Sequence, residues 1–183
     1  NQKENLCLQK MTNKPYDDHV IDVEIDSSIS EEALVCWKKY KNNSINRINI
    51  SPTSTFKGIQ SGNVLNLLDF QTDNKFRKCL DNVIKITKEL LEVDIYYYWT
   101  HFVEYYRGGY QGYHNHEQNE DYSSILYLNT CRGGETYFES SRICSPKKNT
   151  MIIFPSNVNH GAKKTLSWFN NKKVLVFGFR RYQ

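Results

Sequence analysis

The sequence predicts a mainly-β fold, an antiparallel sandwich or barrel backed by helices that come first in the chain. Three observations carry this. Apolar residues recur at helical spacing before about residue 94, short β-branched and aromatic runs follow it, and no alternating β-α-β rhythm appears. At 183 residues the chain can fill one sizeable core but not two ordinary domains. Residues 1–183 are therefore expected to form a single domain, with a helical supporting part over about 1–94 and a β core over about 95–183.

The first helix is expected over 30–41, where Ser30 is followed by Glu31 and Glu32 and then by the apolar stripe Ala33, Leu34, Trp37 and Tyr40. Residues 43–72 are rich in Asn, Ser and turn formers and read as irregular. Over 73–92, Phe76, Cys79, Leu80, Val83, Ile84, Leu90 and Leu91 recur with Lys and Asp between them, which predicts a long amphipathic helix. Strands are then expected in IYYYWTHFVEYY, SSILYLN, ETYFES, TMIIFPS and KVLVFGF.

Composition narrows the function classes. Hydrophobic residues make 39% and charged residues 24%, a globular balance, and no run is long enough to span a membrane. The first twenty residues lack the apolar stretch and cleavage site of a secretory signal, so a cytoplasmic protein is expected. Cys7, Cys36, Cys79, Cys131 and Cys144 are scattered without a Cys-x-x-Cys pair, which fits reduced thiols. The net charge of +4 is spread over doublets such as Lys163/Lys164 and Arg180/Arg181 rather than a block, a weak signal for an anionic partner.

Of the five histidines, His19, His101, His114, His116 and His160, three form a pattern. His114 and His116 lie two apart, so an extended backbone turns both to one face. His160 follows the apolar strand TMIIFP and the turn SNVN. Spacing alone leaves two readings, a metal site and ordinary surface or hydrogen-bonded imidazoles.

The surrounding order is more specific. Gly108, His114, the strand SSILYLN, RGGETYF, Pro146, FP at 154–155, His160 and Lys173 follow one another. The chain from about 95 to 183 resembles the 2-oxoglutarate/iron(II) oxygenase superfamily, in the texture of its prolyl 4-hydroxylase-like and phage-encoded members.

That resemblance implies a double-stranded β-helix (jelly roll), with iron(II), 2-oxoglutarate and dioxygen as cofactor and cosubstrates and ascorbate as an accessory reductant. It implies metal ligation by His114 and His160. The family's usual Asp is replaced here by His116, which leaves a bound iron one charge unit more positive. His116 is expected to ligate in its place, with Glu117, Glu120 and Asp121 as the carboxylate alternatives. Lys173 is implied to meet the distal carboxylate of 2-oxoglutarate, with Tyr127 hydrogen-bonding it and Tyr105 in the pocket. Residues 173, 175, 177 and 179 share one face of a strand, so an inward Phe179 brings Lys173 inward and turns Lys172 out.

The expected reaction is hydroxylation of a peptidyl, even prolyl, side chain, favoured over a nucleic-acid substrate. Two rival readings remain. A cupin would use Gly108, His114, His116 and Glu120 without 2-oxoglutarate, and a non-catalytic binding module would keep the barrel without a competent iron site.

Overall fold

The computed structural model describes residues 20–41, 45–47, 55–69 and 72–182. His19 and Cys7 lie outside them. Cys36, Cys79, Cys131 and Cys144 are free thiols.

Strand β1 (Ile21–Glu24) leads into helix α1 (Ser27–Tyr40). The helix starts three residues before the sequence reading because Asp26, not Ser30, caps it: the Asp26 carboxylate accepts from Ser28 N at 2.8 Å. Ser30 is instead fully buried. The stretch expected to be irregular holds a β-hairpin, β2 (Ile45–Arg47) with β3 (Thr55–Gln60), and a short helix α2 (Val64–Leu67). Its polar composition hid strands that are specified by pairing with a neighbour rather than by an apolar run. Helix α3 (Asn74–Leu91) matches its prediction within one residue at each end, and stops where Glu92 turns left-handed at φ 55°.

The β half contains β4 (Ile95–His114), β5 (Tyr122–Tyr127), β6 (Thr136–Phe138), β7 (Ile143–Cys144), β8 (Thr150–Pro155), β9 (His160–Ala162) and β10 (Lys172–Arg181). The antiparallel sheet runs β1-β8-β5-β10-β4-β9-β6-β7, with the β2–β3 hairpin attached to β4. Strands from the N-terminal part thus join the sheet, so that part is not purely helical support. The strand β4 bends the sheet. Its first half pairs with β10 from Ile95 to Tyr105, and its last residues leave β10 and pair with β9 through Gln111 and His114. Gly108, at φ 78°, lies at the departure point, where a side chain would be strained. The result is a curled, jelly-roll-type antiparallel sheet.

Two apolar cores cover its faces. Outside, α1 and α3 pack Trp37 and Phe76 on Phe102, with ring centroids 5.3 and 5.7 Å apart, over Leu175, Phe177 and Phe179 of β10. Inside, Val103, Tyr105, Tyr127, Phe138, Phe154 and Val174 line the barrel. β10 is therefore buried on both faces, with odd residues toward the helices and even residues toward the barrel.

Candidate metal centre and cavity

The topology brings the two ends of the histidine pattern together. His114 closes β4, and its register partner on β9 is His160. His116 lies in the turn that follows, fixed by its N–H donating to Ser156 O and its carbonyl accepting from Asn119 N, both at 2.8 Å. The ring centroids are 4.4 Å apart for His114 and His160, 4.8 Å for His114 and His116, and 5.5 Å for His116 and His160. One ring nitrogen from each lies within 4.8 Å of the others.

Hydrogen bonding sets the tautomers. His114 Nδ1 faces Gly112 O at 2.9 Å and His160 Nδ1 faces Val158 O at 3.1 Å. A carbonyl only accepts, so each Nδ1 carries the proton and each Nε2 keeps a lone pair. The Gln111 amide, 3.2 Å from His114 Nε2, donates to that lone pair. Burial lowers the pKa of all three histidines, His116 to about 4 and His160 to about 3. Three neutral imidazoles at neutral pH are a donor set that fits a first-row divalent transition metal.

Of the carboxylate alternatives, Glu120 and Asp121 are engaged elsewhere. Glu117 is exposed. Asp121 is exposed and accepts from Arg181 N at 2.8 Å. Glu120 is buried, but it accepts from Trp99 Nε1 and from Ser123 Oγ, the latter at 2.6 Å, and burial pushes its pKa up to about 7. Among the described residues, His114, His116 and His160 are the group brought within ligating reach of one another.

Beside them opens a cavity of about 350 Å³ whose walls include His101, Val103 and Tyr105 of β4 and Lys172, Val174 and Val176 of β10. Among the described residues, no Asp or Glu lines it. Lys172 is 2% exposed, and its Nζ stands 4.7 Å from the Tyr105 ring centroid and 5.6 Å from that of Tyr127. Desolvation lowers its pKa to about 8.

This corrects the expectation for Lys173. The register pairs Lys172 with Tyr105, a cavity residue, and Lys173 with Glu104, whose carboxylate accepts from Trp37 Nε1 on the helix side. Lys173 thus faces the helices and rests near Asn171 O at 3.4 Å. Its alternation with Phe179 holds, but Phe179 packs under the helices rather than in the barrel. A strand covered on both faces gives an apolar residue to each, so Phe179 could not tell inside from outside. The run Val174-Leu175-Val176-Phe177, four apolar residues in succession, was the signal for such a strand.

Tyr105 lines the cavity, where its hydroxyl donates to Gln111 Oε1 at 2.9 Å. Tyr127 is fully buried with its ring beneath Lys172, and its hydroxyl donates to Thr136 Oγ1 at 2.7 Å. Lys172, expected to face outward, lines the cavity together with Thr136, expected to be scaffold, and with Gln111, for which nothing was expected.

Comparison with known families matches residues 100–181 to the 2OG-Fe(II) oxygenase superfamily. Comparison with curated protein sequences gives no match. Among solved structures, a viral collagen prolyl hydroxylase of Paramecium Bursaria Chlorella virus-1 in complex with 2OG superposes with a TM-score of 0.66 at 16% identity, over 91% of this chain and 98% of that one. A prolyl-4-hydroxylase of Pseudomonas putida gives 0.65 at 15%, over 90% and 93%. A prolyl hydroxylase of Trichoplax adhaerens, in complex with a hypoxia inducible factor peptide fragment, gives 0.66 at 14%, over 90% and 84%. At these identities the superpositions establish the jelly-roll fold.

Proposed function

We propose, on the premise that residues 100–181 are a 2OG-Fe(II) oxygenase domain, that this dioxygenase uses a three-histidine iron site to hydroxylate a peptidyl side chain, prolyl by preference. One observation carries the site assignment: three neutral imidazoles and a buried ammonium converge on a single cavity whose lining, among the described residues, contains no acid. Peptide is the preferred substrate because the superposed relatives include prolyl hydroxylases, one of them in complex with a peptide.

His114, His116 and His160 would hold iron(II) through ring nitrogens whose orientation the Gly112 and Val158 carbonyls fix for two of the three. When bound, iron with 2-oxoglutarate and dioxygen supplies oxidative decarboxylation to succinate and one oxygen atom for the substrate. The chain's own residues do the rest. Lys172 meets the distal carboxylate, an anion that offsets the cost of its burial. Tyr105 and Tyr127 hold the lysine by their ring faces, and Val103, Val174 and Val176 keep water from the cosubstrate. A cupin reading leaves the Lys172 ammonium with no anion to meet.

Anaerobic iron(II) titration with and without 2-oxoglutarate, followed by succinate detection on admitting oxygen, tests this. Iron binding strengthened by 2-oxoglutarate, and succinate formation stimulated by prolyl peptides, are the expected results. Iron binding indifferent to 2-oxoglutarate would point to the cupin reading. Stimulation by single-stranded nucleic acid but by no peptide would reverse the substrate assignment.

A further inference from the structure

The basic residues that look scattered along the sequence gather around one backbone knot. Thr165 N donates to Gly109 O at 2.9 Å and its carbonyl accepts from Gly108 N at 2.7 Å, which ties the segment before β10 to β4. On the other side, Leu166 N donates to Arg132 O at 2.9 Å and Gly134 N to Lys164 O at 3.1 Å. Arg107, Arg132, Lys163 and Lys164 are therefore brought to one surface from three separate parts of the chain. All four are exposed, and none of them forms an ion pair among the described residues.

Apolar rings stand among these cations. Trp168 is 71% exposed and Phe169 wholly so, both on the connection into β10. The Arg107 guanidinium carbon lies 2.9 Å from the Trp168 ring centroid, which covers one face of the indole and holds the ring in place. A shallow groove alongside is lined by Tyr137, Leu166, Lys163 and Lys164, with Glu135 as its one acid among the described residues. Tyr113 stacks on Tyr137 with centroids 5.2 Å apart.

We propose that this surface binds single-stranded nucleic acid, bases stacking on Trp168 and Phe169 while Lys163, Lys164, Arg107 and Arg132 meet successive phosphates. Unpaired cations alone would suit any polyanion. Large rings left bare between them cost solvation that an acidic peptide has little means to recover, whereas every base has a face to stack. The inference is independent of the metal and the cosubstrate, so it stands or falls apart from the oxygenase reading.

The test is fluorescence anisotropy of a labelled oligothymidylate of about 12 nucleotides against the full chain, titrated at several salt concentrations. Each phosphate contact contributes about −0.7 to the slope of log affinity against log salt for a single strand. Lys163→Gln with Lys164→Gln should lower the magnitude of that slope by about 1.4. Trp168→Ala and Phe169→Ala should each weaken binding by about tenfold with the slope unchanged, as expected for lost stacking. Both rings are exposed, so these variants should fold as the parent does. Lys78→Gln with Lys85→Gln, an equal charge change at exposed positions of α3, should leave binding intact. Absence of binding at low salt overturns the proposal, as does an equal loss in the α3 control. So does a polyglutamate peptide or a phosphatidylserine vesicle that binds as tightly and with the same dependence on Trp168.

Discussion

Burial lowers the Lys172 ammonium from the ordinary 10.5 to about 8, and a bound carboxylate should raise it again. The sign follows from proton counts. Between pH about 8 and 10.5 the unfolded chain holds a proton that the ligand-free folded chain does not, so this group adds stability as pH rises through that window. Affinity for 2-oxoglutarate should move the opposite way and fall above pH about 8, which isothermal titration at pH 7 and pH 9 would show. Lys172→Ala should weaken 2-oxoglutarate binding by about 2–5 kcal/mol while metal affinity holds, and Lys173→Ala should change little. The opposite ranking would overturn the register assignment. Gly134 sits at φ 75°, and a methyl group there would come within 2.9 Å of Lys172 Cδ. Gly134→Ala should therefore both strain the turn, by about 1 kcal/mol, and displace the lysine, read as a lower melting temperature with a raised 2-oxoglutarate requirement. For the metal, Ala at His114, His116 or His160 should each weaken iron binding in an anaerobic titration. Parent-like affinity in the His116 variant would return attention to Glu120.

The element scale turns on how α1 is fastened to the sheet. Glu104, in the middle of β4, accepts from Trp37 Nε1 at 2.9 Å and Asn171 Nδ2 at 2.8 Å and pairs with Lys41 Nζ at 3.0 Å. Desolvation raises its pKa, but the bonds from Asn171, Lys41 and Trp37 outweigh it and hold the carboxyl below its usual value of 4.5. Its contribution to stability is accordingly full above pH 4.5 and is lost as pH falls through the lowered value. Glu104→Ala strands a buried indole N–H and removes the partner of Lys41. It should cost about 3 kcal/mol in urea unfolding, more than Glu104→Gln, which keeps an acceptor in place. The helices themselves were legible, since Phe76, Cys79, Leu80 and Val83 fall on one stripe. The start of α1 was not, because Asp26 and Ser30 are both good caps and the choice rests on Ser30 being needed inside. Strands β1 and β9 have four and three residues, too few for a period to show.

At the scale of the whole molecule, the short aromatic and β-branched runs after residue 94 were enough for an antiparallel sandwich or barrel, and the jelly roll followed from the resemblance carried by the order of His114, the Gly-Gly turn and His160. Which wall faces the cavity could not be read in that way. It depends on α1 and α3 covering the odd residues of β10, a contact between segments far apart in sequence. Occupied ligands should report on the assembled barrel, since β4 and β9 each supply a histidine. Adding iron(II) and 2-oxoglutarate at about 100 times their dissociation constants under nitrogen should stabilise it by about 2.7 kcal/mol for each, and a chelator should remove the metal's share. A melting temperature indifferent to both would count against a site formed in the folded barrel. The position of β10 between β5 and β4, latest in sequence among the described strands yet central in the sheet, bears on synthesis as well as on stability. Until Lys172–Arg181 has emerged from the ribosome, β4 and β5 each present an open edge with nothing to pair against. The nascent chain must pass through that aggregation-prone interval, and a transcript cut short before β10 should yield insoluble protein rather than a weakened barrel.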